Sequence, residues 1–105
     1  MGILTKIKKS EIPNGKAKSY KVGESKIVIC NINDNFYAVE DICSHDAGEL
    51  VSGEIDLIET CQLQCPRHGA RFDVKTGKAT RMPAVAPIRT YTLNVVNEEL
   101  EIEID

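Results

Sequence analysis

Apolar and polar positions along this chain recur in short runs separated by turn residues. The pattern predicts strands rather than helices. Lys26-Ile27-Val28-Ile29-Cys30-Asn31-Ile32 is rich in β-branched residues, Asn33-Asp34-Asn35 is a turn cluster, and Phe36-Tyr37-Ala38-Val39 is a returning strand. Residues 26–39 therefore read as a hairpin. Leu100, Ile102 and Ile104 alternate with glutamates, and Asn97-Glu98-Glu99 joins them to a strand over Arg89 to Val96, which gives a closing hairpin. Leu4 to Ile7, a Pro13-Asn14-Gly15 turn and Lys18 to Val22 open the chain in the same way. Ile55 to Leu63 is expected to be a further strand, with Cys61, Leu63 and Cys65 on one face. Asp73 to Lys78 is expected to be a hairpin tip. No segment has the period of an amphipathic helix; at most a turn is expected near Asp46 to Ser52. Strands at this spacing predict an all-β antiparallel sandwich or barrel.

Length sets the scale. The 105 residues suffice for one domain with a single modest core. No apolar run approaches the ~20 residues of a membrane span, and the first residues lack the apolar stretch of a signal peptide. A soluble, cytoplasmic protein with reduced thiols is expected. The net charge of −3 is the wrong sign for a nucleic-acid binder, which needs a basic stripe to meet phosphates.

Chemistry enters where the strands give way to loops. Both histidines of the chain stand beside cysteines: Cys43-Ser44-His45, and Cys65-Pro66-Arg67-His68 followed by Gly69. Two thiolates and two imidazoles on two loops make a four-ligand metal site. Tetrahedral zinc uses such a set, and so does one form of [2Fe–2S] cluster. Zinc fingers usually group the cysteines on a hairpin and the histidines on a helix. Here each loop supplies one of each and no helix follows, which favours a binuclear cluster. A structural zinc module that binds a partner is the alternative. Cys30 and Cys61 read as packing residues, with Cys61 as a competing ligand the sharper option. A Cys–His nucleophile would leave the second Cys–His pair unexplained.

The spacing Cys43-x-His45 … Cys65-x₂-His68-Gly69 resembles the Rieske motif. Asn35 to Asp41 before the first loop, Gly69-Ala70-Arg71-Phe72-Asp73 and Thr76-Gly77 after the second, and Pro83-Ala84-Val85-Ala86-Pro87 extend the likeness over nearly the whole chain. It is nearest to the soluble Rieske ferredoxins of bacterial ring-hydroxylating dioxygenases and their archaeal relatives. The stretch 46–64 between the ligand pairs is longer than is usual in that family.

The resemblance implies a single Rieske domain over 1–105, with a cluster-binding part of two loops at about 41–83. Cys43 and Cys65 would hold one iron of a [2Fe–2S] cluster, and His45 and His68 the other. The Pro83 to Pro87 segment would cover the cluster. The protein would then be a one-electron carrier rather than an enzyme. It would take electrons from a flavin-dependent, NAD(P)H-oxidising reductase and pass them to a terminal oxygenase, with partners docking transiently at the His45/His68 end. A small subunit of another oxidoreductase, such as a nitrite-reductase-like complex, is the related alternative. High-potential members carry a disulfide where Gly48 and Arg67 stand here, and Ser and Tyr hydroxyls where Ala70 and Phe72 stand. A potential in the low part of the Rieske range is expected, since fewer donors stabilise the reduced state. Arg67, Arg71 and Arg81 are either ordinary solvated surface or residues that orient a redox partner.

Overall fold

The structure, a computed structural model, describes residues 3–41, 57–65, 69–82 and 86–104. Over these residues the chain forms β1 (Ile3–Lys8), a 3₁₀ turn (Lys9–Glu11), β2 (Ala17–Val22), β3 (Ser25–Ile32), β4 (Asn35–Glu40), a one-turn helix α1 (Leu57–Thr60), β5 (Gln62–Gln64), β6 (Arg71–Asp73), β7 (Ala79–Arg81), β8 (Thr90–Val96) and β9 (Glu99–Ile104). Six strands join in the order β1-β9-β8-β4-β3-β2, and β5-β6-β7 form a second sheet. All pairings are antiparallel, and the sheets make a nearly closed barrel.

The turns follow the local chemistry. Ile32 pairs with Asn35, so the β3–β4 connection is the two residues Asn33-Asp34. Both have positive φ, 53° and 68°, as a type I′ turn requires, and Asn and Asp tolerate that region better than other side-chain-bearing residues. Asn97 (φ 56°) opens the β8–β9 turn in the same region. The expected hairpins over 26–39 and at the end of the chain are present with shifts of a residue or two at their ends, but the two opening strands do not pair with each other: β1 pairs with β9 and β2 with β3.

β3 is buried from Ile27 to Ile32 without alternation. Ile27 and Ile29 face a core shared with Phe36, Leu100, Ile102 and Ile104. Val28, Cys30 and Ile32 face a second core shared with Leu63, Cys65, Phe72 and Val74. One strand therefore serves both the barrel and the layer between the barrel and the small sheet. Each fully buried aliphatic side chain adds on the order of 1.5–3 kcal/mol. Asn31 is the polar exception, at 5% exposure. Its Nδ2 donates to the Ile12 carbonyl (2.8 Å), and its Oδ1 accepts from the Asp34 N–H (2.9 Å).

β1 and β2 are the two edges of the large sheet. Glu11, just after β1, bridges the gap to β2: its carboxylate accepts from the Tyr20 hydroxyl (3.1 Å) and from Lys18 Nζ (3.3 Å).

The expected strand over Ile55 to Leu63 is corrected. Residues 57–60 form a single helical turn and the strand is only Gln62–Gln64. Cys61 between them has φ 57°, a left-handed backbone outside the range of a regular strand, and the Thr60 hydroxyl accepts the Gln62 N–H (3.2 Å). The expected turn near Asp46 to Ser52 lies outside the described residues.

Candidate metal centre

The β5–β6 hairpin positions the second cysteine–histidine pair. Leu63 pairs with Phe72 and Gln64 with Arg71, so Leu63 and Phe72 point inward and lock the hairpin onto the core. The ladder continues one step past the strands: the Cys65 N–H donates to the Ala70 carbonyl at 2.7 Å. The Gly69 N–H donates back to the Cys65 carbonyl at 3.0 Å. These bonds carry the β5–β6 pairing one rung further and fix Cys65 at its end. Cys65 and Ala70 are both fully buried.

A thiolate in such a place is costly unless a cation neutralises it. Among the described residues no atom outside its chain neighbours lies within 4 Å of where a Cβ on Gly69 would stand, so there is open space beside this corner. A buried thiol at a backbone-fixed corner next to open space fits the role of a metal ligand. Cys43, His45 and His68 lie outside the described residues, as does Arg67. The donor set of two thiolates and two imidazoles suits a [2Fe–2S] cluster.

β4 carries the chain toward the first pair. The Glu40 N–H donates to the Arg89 carbonyl (2.8 Å), and the Asp41 N–H donates to the Lys26 carbonyl (3.0 Å). Asp41 itself is 2% exposed, and its carboxylate accepts from the Ser19 hydroxyl at 2.7 Å. The last described residue before Cys43 is thus held by two neighbouring strands. The sequence reading gave Asp41 only a place in the lead-in to the loop. The anchor depends on Ser19, 22 positions away, and no local pattern signals it.

Ala70 and Phe72 are both 0% exposed. Neither carries a hydroxyl, so neither position offers a donor beyond the backbone. Cys30 is a packing residue, fully buried in β3. Burial, with the charge of Asp41 second, pushes its thiol from 9.0 up to about 12. Cys61 packs against the same core from its partly buried position, but it does not share a strand face with Leu63 and Cys65. The segment ahead of β8 is held from below: the Ile88 N–H donates to the Gly77 carbonyl at 2.8 Å, and the Gly77 N–H donates to the Asp73 carbonyl at 2.8 Å. Pro83 to Val85 lie outside the described residues. No helix among the described residues is long and apolar enough to cross a membrane.

The family model of the Rieske [2Fe–2S] domain matches residues 3–92. The ferredoxin component of biphenyl 2,3-dioxygenase from Rhodococcus jostii strain RHA1 is 32% identical over 103 residues, which cover 97% of this chain and 94% of that protein. The ferredoxin of carbazole 1,9a-dioxygenase from Nocardioides aromaticivorans IC177 has a TM-score of 0.88 at 28% identity, covering 96% of this chain and 95% of its own. A chain from the complex of reduced oxygenase and oxidized ferredoxin in carbazole 1,9a-dioxygenase has a TM-score of 0.85 at 28% identity, covering 95% of this chain and 92% of its own.

Proposed function

The chain belongs to the Rieske [2Fe–2S] domain family, and from that premise we propose that it is a one-electron carrier serving a terminal oxygenase. The observation that supports this best is the fully buried Cys65 at the closed corner of the β5–β6 hairpin, within a family match over residues 3–92. When bound, the cluster supplies one reversible electron in the Rieske range of roughly −150 to +300 mV.

The chain's own residues set the terms of that exchange. Cys43 and Cys65 would hold one iron through two thiolates, and His45 and His68 would hold the other through two neutral imidazoles. Two thiolates would balance the charge of two ferric ions and two sulfides, so this ligand set would offer an electron less repulsion than an all-cysteine site. Leu63, Phe72 and Val74 wall the Cys65 side with apolar atoms and keep water out. Ala70 and Phe72 add no hydroxyl donor, which places the potential in the low part of the range.

The cluster-binding part spans about 41–83 within one domain over 1–105. Partners meet the protein at the His45/His68 end, where ligand imidazoles shorten the path for the electron. A flavin-dependent reductase supplies electrons from NAD(P)H on one encounter, and an oxygenase receives them on another. A related ferredoxin is a component of biphenyl 2,3-dioxygenase, and another forms a complex with the oxygenase of carbazole 1,9a-dioxygenase. The working compartment is the cytoplasm, where thiols remain reduced.

Electron paramagnetic resonance of the dithionite-reduced protein, with iron and acid-labile sulfide analysis, tests the reading. The expected result is two irons, two sulfides and a rhombic signal with the low average g value that nitrogen ligation gives. A colourless protein with one zinc ion would overturn it.

A further inference from the structure

β7 contains an irregularity that changes which side chains face outward. Phe72 pairs with Ala79 and Arg71 pairs with Arg81, so Thr80 is the extra residue of a bulge. In a regular ladder Thr80 would oppose Arg71, and Arg81 would oppose the fully buried Ala70. The inserted residue returns Arg81 to the outer face, opposite Arg71. Gln64 completes the row: it pairs with Arg71 in register, and Arg71 Nε donates to Gln64 Oε1 at 2.8 Å. This row lies one step along the ladder from Cys65 and Ala70, about 3.3 Å at the usual strand rise. Met82 follows Arg81 and is 75% exposed.

Two guanidinium groups at facing positions repel each other. Among the described residues neither forms an ion pair; ion pairs join Lys6 to Glu101, Lys9 to Asp34 and Lys18 to Glu11 instead. A chain of net charge −3 therefore gathers two cations beside its proposed redox centre. A merely solvated face gains nothing from that placement. A carboxylate between the forks removes the repulsion, and arginine is shaped to hold one in two-point contact. Met82 adds an adaptable apolar contact at the rim.

We infer that the Arg71–Arg81 row, with Met82 beside it, docks a carboxylate-bearing surface of the protein that exchanges electrons with this chain. The inference rests on the electron-carrier reading and names the chemistry of the partner at that same end. It acts chiefly on encounter rate, which salt screens.

The test uses a small anionic oxidant in place of the partner. Reduced, cluster-loaded protein is mixed with hexacyanoferrate(III) in a stopped-flow instrument. One electron leaves the protein and each hexacyanoferrate(III) becomes hexacyanoferrate(II). The net charge alone predicts like-sign repulsion, hence a rate that rises with salt. The arginine row predicts a rate that falls, by roughly threefold or more between low and high ionic strength. Arg81→Glu should reverse the sign of the salt dependence and leave midpoint potential and spectrum unchanged. Lys8→Glu, the same change of charge on β1 in the other sheet, should leave the falling dependence in place. A wild-type rate that rises with salt, or an Arg81→Glu variant that behaves like Lys8→Glu, overturns the docking surface while leaving the carrier intact. Protein that never takes up a reducible cluster fails earlier, at iron and sulfide analysis, and overturns the carrier reading itself.

Discussion

Gly77 and Gly15 have almost the same backbone, φ +78° and +79°, yet an added methyl group would meet different things. The left-handed conformation costs an alanine about 1–2 kcal/mol at either site. At Gly15 the nearest atom to a new Cβ is Ile58 Cδ1 at 3.0 Å, the far end of a flexible side chain that can turn aside. At Gly77 it is the Ile88 carbonyl oxygen at 2.1 Å, with the Ile88 carbonyl carbon at 3.2 Å. Backbone has to move. That strains the bond from the Ile88 N–H to the Gly77 carbonyl, worth about 0.5–1.5 kcal/mol net. It also draws Ile88, 5% exposed, from its core, and partial loss of that burial costs about 1 kcal/mol. Gly77→Ala should therefore lose roughly 3–4 kcal/mol against about 1–2 for Gly15→Ala. At ~4–8 °C per kcal/mol for a domain near this size, the two melting points should differ by roughly 8–16 °C. Thermal scans of the cluster-loaded variants at one scan rate, followed by far-ultraviolet circular dichroism and visible absorption, measure this. If both variants melt together, the Gly77–Ile88 contact does not clamp the segment ahead of β8 and the reasoning is wrong.

Ala70→Ser and Phe72→Tyr should each raise the midpoint potential in voltammetry. A hydrogen bond to a charged acceptor of about 1.5–3 kcal/mol, felt only in the reduced state, corresponds to roughly 65–130 mV for one electron. No upward shift in either variant would refute the account of the low potential. Cys30 gives a pH prediction. Its thiol is held up at about 12 in the folded chain against 9.0 for the unperturbed group, so only the unfolded chain ionises it between those values. Stability from this residue is complete below pH 9 and falls by about 1.4 kcal/mol per unit as pH rises through the window. Denaturant titrations should show a shallower alkaline loss in Cys30→Ala, and an identical slope would exclude Cys30 as its source. Cys61→Ser should leave the visible and paramagnetic spectra unchanged, because that side chain only packs against the core; an altered spectrum would make it a ligand.

Much of the fold was legible because local chemistry and tertiary structure agree. Asn33-Asp34 and Asn97 are turn residues for the same reason in isolation as in the barrel: they accept positive φ. The alternation in β9 survives because one of its faces is packed and the other is wet. β3 offered no alternation, since it is packed on both sides, and only the assembled sheets show why a run of six buried residues, five of them apolar, is a strand with two cores. The segment before β5 misled for the opposite reason. Its β-branched residues suit a strand, but Cys61 takes a left-handed backbone and leaves only three residues to pair. The Cys65-x₂-His68 spacing is a local pattern and was visible in the sequence. The Ser19–Asp41 anchor and the β7 bulge were not. Each depends on partners that the sequence does not bring near one another.

The double burial of β3 also bears on how the chain avoids folding into a near neighbour of itself. In an ordinary half-wet strand, a slip of one residue against its partners turns apolar side chains to water, and that penalty selects the native alignment. A strand apolar on both sides lacks much of that safeguard: exchanging Ile27 and Ile29 for Val28 and Cys30 keeps oily groups in oily places. Asn31 supplies the missing discrimination. Its amide reaches Ile12 and Asp34 only in the observed alignment. A slipped strand would drive that amide into a core without partners or carry it to the wrong side of the barrel. Proofreading of β3 thus falls to one buried side chain and a two-residue turn, both at the end of the hairpin remote from Asp41 and the approach to Cys43.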